Sequence, residues 1–269
     1  MLGLMESAEG LVKSGVWRRR LGAGLRGLGR GLLDLVYPPV CLCCDAPVSA
    51  PDTLCVACFV RLRPITAPLC PRLGIPFGVS LGDDVLSAEA LADPPPFERA
   101  RAAVVYNDVA GTIVSRLKYG DRPELARFCA RLMASAGHEL WTDRPMLVPV
   151  PLHPARQRAR RYNQSGELAV LLGRLTGLPV HNDLVRRIRR TRQQVGLSGD
   201  GRQRNVAGAF AVHPEILTRA GGRRVVLVDD VYTTGATTKA VTRALLKGGV
   251  ASVDVLTFAR VVIGAELPI

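Results

Sequence analysis

The stretch Val225-Val-Leu-Val-Asp-Asp-Val-Tyr-Thr-Thr-Gly-Ala-Thr-Thr238 constrains this chain more than any other. Val225–Val228 is short, continuous and mostly branched at Cβ, which predicts a central strand buried on both faces. It runs straight into Asp229 and Asp230, so two carboxylates stand at the carboxyl end of a buried strand, where open α/β sheets bind ligands. Thr233, Thr234, Gly235, Ala236, Thr237 and Thr238 follow, and a helical pattern continues through Leu246. A turn that opens a helix points free N–H groups outward, and the helix dipole adds positive potential. Gly235 permits positive φ or close backbone approach. The carboxylates cannot serve a phosphate, but they can accept hydrogen bonds from sugar hydroxyls or hold Mg²⁺ through water. The two halves together fit a ribose 5-phosphate. The plainer alternative is a strand–loop–helix connection with Asp and Thr as ordinary caps. Capping needs one such residue, not two acids and four threonines around a glycine.

Cys41-Leu-Cys-Cys44 and Cys55-Val-Ala-Cys58 are two C-x-x-C pairs with ten residues between them. Each pair offers two thiolates to one metal, and two pairs complete a tetrahedral S₄ site that suits Zn²⁺. So short a segment buries no core of its own. Metal binding worth about 10–16 kcal/mol would supply the folding energy instead. Redox-active thiols are the alternative. Cys43 falls inside the first pair and reads as a spare thiol, while Cys129 lies in a helical pattern and reads as core. Cys70-Pro-Arg-Leu73-Gly74 has the form of a third knuckle whose second Cys is Leu, so a second metal site is not expected.

The net charge is +13, which points to polyanion partners. Between Ala155 and Arg204 stand twelve Arg, no Lys and only three acids, so that segment carries +9 of the total. A solvated basic face is the plain reading. The uniform choice of Arg favours phosphate, because its fork grips two oxygens. Aromatic residues make up 5% of the chain, which leaves few stacking platforms for single strands but leaves backbone phosphate contacts open. No apolar run reaches the roughly 18 residues of a membrane helix. Residues 1–36 are interrupted by Arg and Gly and lack a signal peptide's apolar region. The expectation is a cytoplasmic chain with no membrane insertion, in which seven Cys serve metal or thiolate chemistry rather than disulfides.

The rest of the chain sets the architecture. A basic segment at 1–36 holds a short amphipathic helix over 25–36. Its Gly22-Ala-Gly24-Leu-Arg-Gly27 matches a dinucleotide fingerprint only formally, since no strand precedes it. A ribbon follows at 37–74 and a Gly-, Pro- and Asp-rich linker at 75–96. Over 97–269 strands are expected at 101–106, 146–150, 209–212, 225–228 and 252–259, and helices at 109–117, 124–140, 165–175 and 237–247. That alternation predicts an α/β domain, a mainly parallel sheet flanked by helices. Pro149 and Pro151 either end a strand at Val148 or begin a pyrophosphate loop. His153 reads as structural.

Residues 225–237 resemble the phosphoribosyl-pyrophosphate (PRPP) signature of type I phosphoribosyltransferases. Further segments align with one family: Leu117-Lys-Tyr-Gly120; Val148-Pro-Val-Pro-Leu-His153 running into Arg156, Arg158 and Arg160-Arg-Tyr-Asn-Gln164; Thr191-Arg-Gln-Gln194; and Asn205-Val-Ala-Gly-Ala-Phe210. From about Leu33 to about Arg260 the chain resembles the ComF family of competence-associated phosphoribosyltransferase-like proteins, and its Cys module resembles their N-terminal zinc ribbon. Leu73 departs from a Cys that many members carry, and Arg161-Tyr162-Asn163 stands where Arg-Gly-Phe-Asn is more usual.

The resemblance implies a type I phosphoribosyltransferase-like fold. It places Asp229 and Asp230, as the catalytic pair, on the ribose O2 and O3, and Thr233, Thr234, Gly235, Ala236 and Thr237 around the 5-phosphate, with Mg²⁺ accompanying PRPP. Arg156, Arg160 and Arg161 follow the strand expected beside 225–228 and are candidates for the pyrophosphate or an incoming polyanion. Three readings stay open. One is a transferase moving ribose 5-phosphate to an unknown acceptor. Another is a single-stranded-DNA-handling factor working with DNA-uptake or helicase machinery. The third is a PRPP-sensing regulator.

Overall fold

The computed structural model describes residues 38–80, 82, 84–119, 122–152, 163–189, 206–221 and 224–262. The expected helix at 25–36, the Gly22–Gly27 match, His153 and Arg156–Arg161 lie outside them. The chain divides into two compact units, 1–55 and 56–269. The described part of the first is a tight turn closed by an antiparallel bridge between Val40 and Pro47.

In the second unit, four strands form one parallel sheet in the order β1-β6-β5-β2. These are β1 (Ala100–Val105), β2 (Met146–Pro149), β5 (Val225–Tyr232) and β6 (Val253–Arg260). A small antiparallel pair, β3 (Val185–Arg187) and β4 (Phe210–Val212), stands apart from it. The helices are α1 (Val56–Arg61), α2 (Ala88–Ala92), α3 (Asp108–Tyr119), α4 (Pro123–Ala136), α5 (Gln164–Thr176), α6 (Pro214–Ala220) and α7 (Ala236–Lys247). All eight residues of β6 and the first four of β5 are buried, as expected where helices cover both faces of a parallel sheet. α4 and α5 pack against the sheet and each other. Val241 and Leu245 of α7, Phe210 of β4 and Val185 of β3 join Val225, Leu227, Val253 and Val255 in one apolar cluster. Pro149 is tolerated because β2 is an edge strand. Strand β2 does lie beside β5 in parallel, Val148 opposite Leu227.

Three sequence expectations are corrected, and one strand that the sequence left unassigned is added. The strand expected to end at Val228 continues to Tyr232, because β6 is equally long and its ladder runs on to Tyr232 opposite Arg260. The helix expected over 124–140 stops at Ala136. Gly137 then leads into a 3₁₀ turn, His138–Trp141, whose Trp141 indole bonds back to the Ala134 carbonyl. The stretch expected as a linker at 75–96 carries α2, and its Ile75, Phe77 and Leu86 pack on the main core. A strand, β3, sits inside the Arg-rich segment. Arg187 lays its guanidinium 5.2 Å from the Phe210 ring centroid, so its stem is buried despite the charge.

A buried ion cluster ties the opposite end of the sheet. Asp254 of β6 is fully buried and takes Arg99 at 3.1 Å and Arg224 at 2.8 Å. Among the described residues no helix is long and apolar enough to cross a membrane.

Candidate functional site

β2 ends at Pro149, opposite Val228, and the Val150 amide makes the last bond to Val228. Among the described residues β5 is therefore paired from Asp229 onward by β6 alone, and the two half-buried carboxylates stand on this stretch. Around them stand two side chains from neighbouring helices. The Ser165 hydroxyl, in the first turn of α5, donates to Asp229 Oδ1 at 2.9 Å. Lys118 Nζ, in the last turn of α3, lies 2.8 Å from Asp230 Oδ2. The Asp230 amide also donates to Asp229 Oδ1 at 2.9 Å. Burial, and then the negative charge of Asp230, push the Asp229 carboxyl up to about 7, against the pull of Ser165, the Asp230 amide and Lys118.

After Tyr232 the chain turns through Thr233 and Thr234 into Gly235, the N-cap of α7, at φ 72°. A Cβ at Gly235 would stand 2.2 Å from the Tyr232 hydroxyl, so glycine is required by conformation and by space. No side chain among the described residues caps α7. The Gly235 carbonyl accepts the Lys239 amide at 2.8 Å and the Thr238 hydroxyl at 2.9 Å, closing the first turn. Thr233 is exposed, Thr237 is half-buried, and Thr234 Oγ1 is buried with no hydrogen-bond partner among the described residues. Within nine residues the corner thus offers a carboxylate pair at one end and an uncapped helix N-terminus at the other. Such a surface takes a ligand with adjacent hydroxyls and an anionic group.

The structure brings Asp229, Asp230, Thr233, Thr234, Gly235, Ala236 and Thr237 onto this one corner. Arg156, Arg160 and Arg161 lie outside the described residues. Sequence reasoning missed Lys118 and Ser165 as neighbours of the carboxylates. Lys118 sits inside the quoted Leu117–Gly120 segment and Ser165 directly follows Gln164, but sequence spacing alone does not bring α3 and α5 to the end of β5. Asn163 and Gln164 anchor that approach. Asn163 donates to the Val150 carbonyl at 3.3 Å, and Gln164 to that of Lys118 at 3.4 Å. Beside α5 a cavity of about 820 Å³ is lined by Arg122, Asn163, Arg174, Arg186 and Arg187, with Glu167 and Asp183 among the acids.

The Sγ atoms of Cys41, Cys44, Cys55 and Cys58 all lie within 4.8 Å of one another, Cys44 and Cys55 at 3.6 Å. Four thiolates about 2.3 Å from a tetrahedral zinc stand about 3.8 Å apart, so the donor set fits Zn²⁺. Burial opposes ionisation of Cys41, but hydrogen bonds led by the Cys55, Cys44 and Cys43 amides bring its thiol down to about 6. Cys43 is not in the cluster. Cys129 is fully buried in α4, and burial pushes its thiol up, which is the behaviour of a core cysteine.

Comparison with known proteins agrees with this geometry. The family model of a double zinc ribbon domain matches residues 32–90, and that of a phosphoribosyl transferase domain matches residues 158–268. The DNA utilization protein YhgH of Salmonella typhi is 32% identical over 235 residues, covering 84% of this chain and 99% of that protein. Competence protein F of Haemophilus influenzae is 32% identical over 176 residues, 63% of this chain and 76% of that one. Competence protein ComFC of Bacillus subtilis is 28% identical over 245 residues, 84% of this chain and 96% of that one. With a parallel sheet ending in this corner, a four-cysteine ribbon and relatives matched along most of their length, the chain belongs to the ComF family of phosphoribosyltransferase-domain proteins.

Proposed function

We propose that the β5–α7 corner binds PRPP together with Mg²⁺ and that the protein transfers its ribose 5-phosphate to a nitrogen nucleophile. The observation that carries this reading is the carboxylate pair at the end of β5 followed within nine residues by the start of α7, whose N-cap Gly235 makes no side-chain cap bond. Asp229 and Asp230 accept hydrogen bonds from the ribose 2- and 3-hydroxyls. Thr233 to Thr237 and the first-turn α7 amides hold the 5-phosphate, with the Thr234 hydroxyl, which has no hydrogen-bond partner among the described residues, donating to it. The anomeric C–O bond to pyrophosphate breaks, and a C–N bond to the acceptor forms. Positive charge grows at the anomeric carbon between these steps, and the carboxylates beside the ribose stabilise it. The Asp229 and Asp230 carboxylates offer the oxygen donors that suit Mg²⁺, which, when bound with PRPP, would supply charge neutralisation for the pyrophosphate. Arg156, Arg160 and Arg161, which follow β2 in the chain, are assigned to that pyrophosphate or to a polyanion.

The relatives are named for DNA utilization and competence, and that likeness supports our reading of a role in DNA uptake; we take the protein to act in the cytoplasm. Direct contact with single-stranded DNA is the second reading, favoured by the +9 carried between Ala155 and Arg204. Sensing of PRPP without turnover is the third reading, and release of pyrophosphate on adding a nitrogen acceptor would separate it from the first. Calorimetric titration with Mg²⁺ and PRPP should show saturable binding to the parent. The double variant Asp229→Asn, Asp230→Asn should keep its circular dichroism spectrum and lose that binding. Unchanged affinity in the double variant would overturn the assignment.

A further inference from the structure

The turn around Cys70 repeats the turn around Cys41 bond for bond. In the first, Val40 bridges Pro47, the Cys41 amide bonds to Ala46 at 2.7 Å, and Val48 to Pro39 at 2.9 Å. In the second, Leu69 bridges Pro76, the Cys70 amide bonds to Ile75 at 2.8 Å, and Phe77 to Pro68 at 2.9 Å. Asp45 at φ 61° is matched by Gly74 at φ 62°. The Cys41 sulfur receives the amides of Cys43, Cys44 and Cys55, and the Cys70 sulfur those of Arg72, Leu73 and Ser87. The Cys55 and Ser87 amides both reach their sulfur at 3.3 Å, and each is followed by a short helix, α1 or α2. Superposed through these bonds, Cys70 stands for Cys41, Leu73 for Cys44, Ser87 for Cys55 and Ala90 for Cys58.

A double ribbon implies two metals, but the second donor set does not fit one. Of its four positions one is a thiol, one a hydroxyl and two are hydrocarbon, so it cannot complete an S₄ site. We infer that residues 68–92 are a second copy of the ribbon that folds without metal, its zinc position replaced by the packed group Cys70, Leu73, Ser87 and Ala90. All four are buried, at 0%, 1%, 9% and 3% exposure, and the first, second and fourth belong to the same apolar cluster as the sheet. The Ser87 hydroxyl accepts the Ala90 amide, holding α2 where a thiolate pair would hold it through zinc.

What the metal supplied, contacts with the sheet supply instead. The Ala100 amide at the start of β1 bonds to the Arg72 carbonyl at 2.7 Å. A Cβ at position 74 would stand 2.4 Å from the Ala100 carbonyl, so Gly replaces the first copy's Asp to let the turn lie against β1. Arg260, at the end of β6, donates to the Leu73 carbonyl at 2.8 Å, meets Glu89 at 3.2 Å and stacks 4.4 Å over the Tyr232 ring.

Zinc content and hydrogen exchange test this on the full chain. Elemental analysis should give one zinc per chain. After chelation, the amides of Cys43 and Cys55 should lose protection, while those of Leu73 and Ser87 keep it. Two zincs in the parent, or loss of protection in both turns together, would overturn the inference. The triple variant Leu73→Cys, Ser87→Cys, Ala90→Cys should raise the count to two. A folded triple variant that still holds one zinc would show that the four positions do not correspond. If that variant does not fold, the parent's zinc count and exchange pattern decide.

Discussion

Lys118 places its ammonium 2.8 Å from the Asp230 carboxylate, joining the last turn of α3 to the strand that carries the ligand corner. Among the described residues it is the cation paired with a carboxylate couple whose like charges oppose each other, and it lowers the Asp229 value by attraction. Replacing Lys118 with Met should push the Asp229 carboxyl still further above about 7. Carboxyl-resolved NMR titration reads this directly, and an unmoved midpoint would contradict it.

The same carboxyl gives a pH dependence with a definite sign. Its folded value lies above its ordinary 3.8, so the folded state binds the proton more tightly than the unfolded one. The stability it contributes is fully present below about 4 and is lost as pH rises through about 7. Thermal melts of ligand-free protein should therefore show a component that falls across this window. In Asp229→Asn that component should vanish, and a slope identical to the parent's would argue against it.

Gly235→Ala should disrupt the corner without touching either carboxylate. The left-handed conformation costs a non-glycine residue about 1–3 kcal/mol, and the new Cβ also meets the Tyr232 hydroxyl. Denaturant unfolding should show at least that loss, and PRPP binding should fall with it.

Asp254→Asn tests the buried cluster at the far end of the sheet. It leaves Arg99 and Arg224 facing a neutral group, and removing one member of a buried ion cluster costs about 3–5 kcal/mol. The lower end is expected, because Arg99 keeps about a third of its side chain in water. Urea midpoints at constant m-value measure it.

Cys43→Ser and Cys58→Ser separate ligand from bystander. The first should keep a full complement of zinc and the second should lose it, since only Cys58 belongs to the four-sulfur group. Equal zinc in both would remove the assignment of Cys58.

Charge reversal separates the Arg-rich stretches. Arg160 and Arg161 to Glu should weaken PRPP binding. Arg189 and Arg190 to Glu should spare PRPP and weaken DNA binding, with a salt slope of about −0.7 per contacted phosphate on single strands. If both double variants match the parent toward both ligands, the cluster is a solvated face.

The sequence by itself determined the parts whose chemistry is local. A continuous Cβ-branched run reads as a buried strand wherever it is placed, and Val225–Val228 is one. The C-x-x-C pairs carry their metal geometry in their spacing, and the Asp-Asp and Thr-Thr-Gly elements adjoin in the chain. Tertiary structure alone decided what depends on distant segments meeting. How far β5 runs was set by the length of β6. Lys118 and Ser165 reach the carboxylates only because α3 and α5 converge on the edge left open where β2 stops. The stretch 75–96, Gly-, Pro- and Asp-rich in composition, packs Ile75, Phe77 and Leu86 against a core built from residues far along the chain. The pattern Pro39-Val-Cys to Pro47-Val, repeated as Pro68-Leu-Cys to Pro76-Phe, was present in the sequence. With three of its four ligand positions occupied by Leu, Ser and Ala, the sequence shows only the knuckle form at Cys70–Gly74, and the matching backbone bonds extend the correspondence to Ser87 and Ala90, because hydrogen-bonded turn geometry does not depend on the metal-binding side chains.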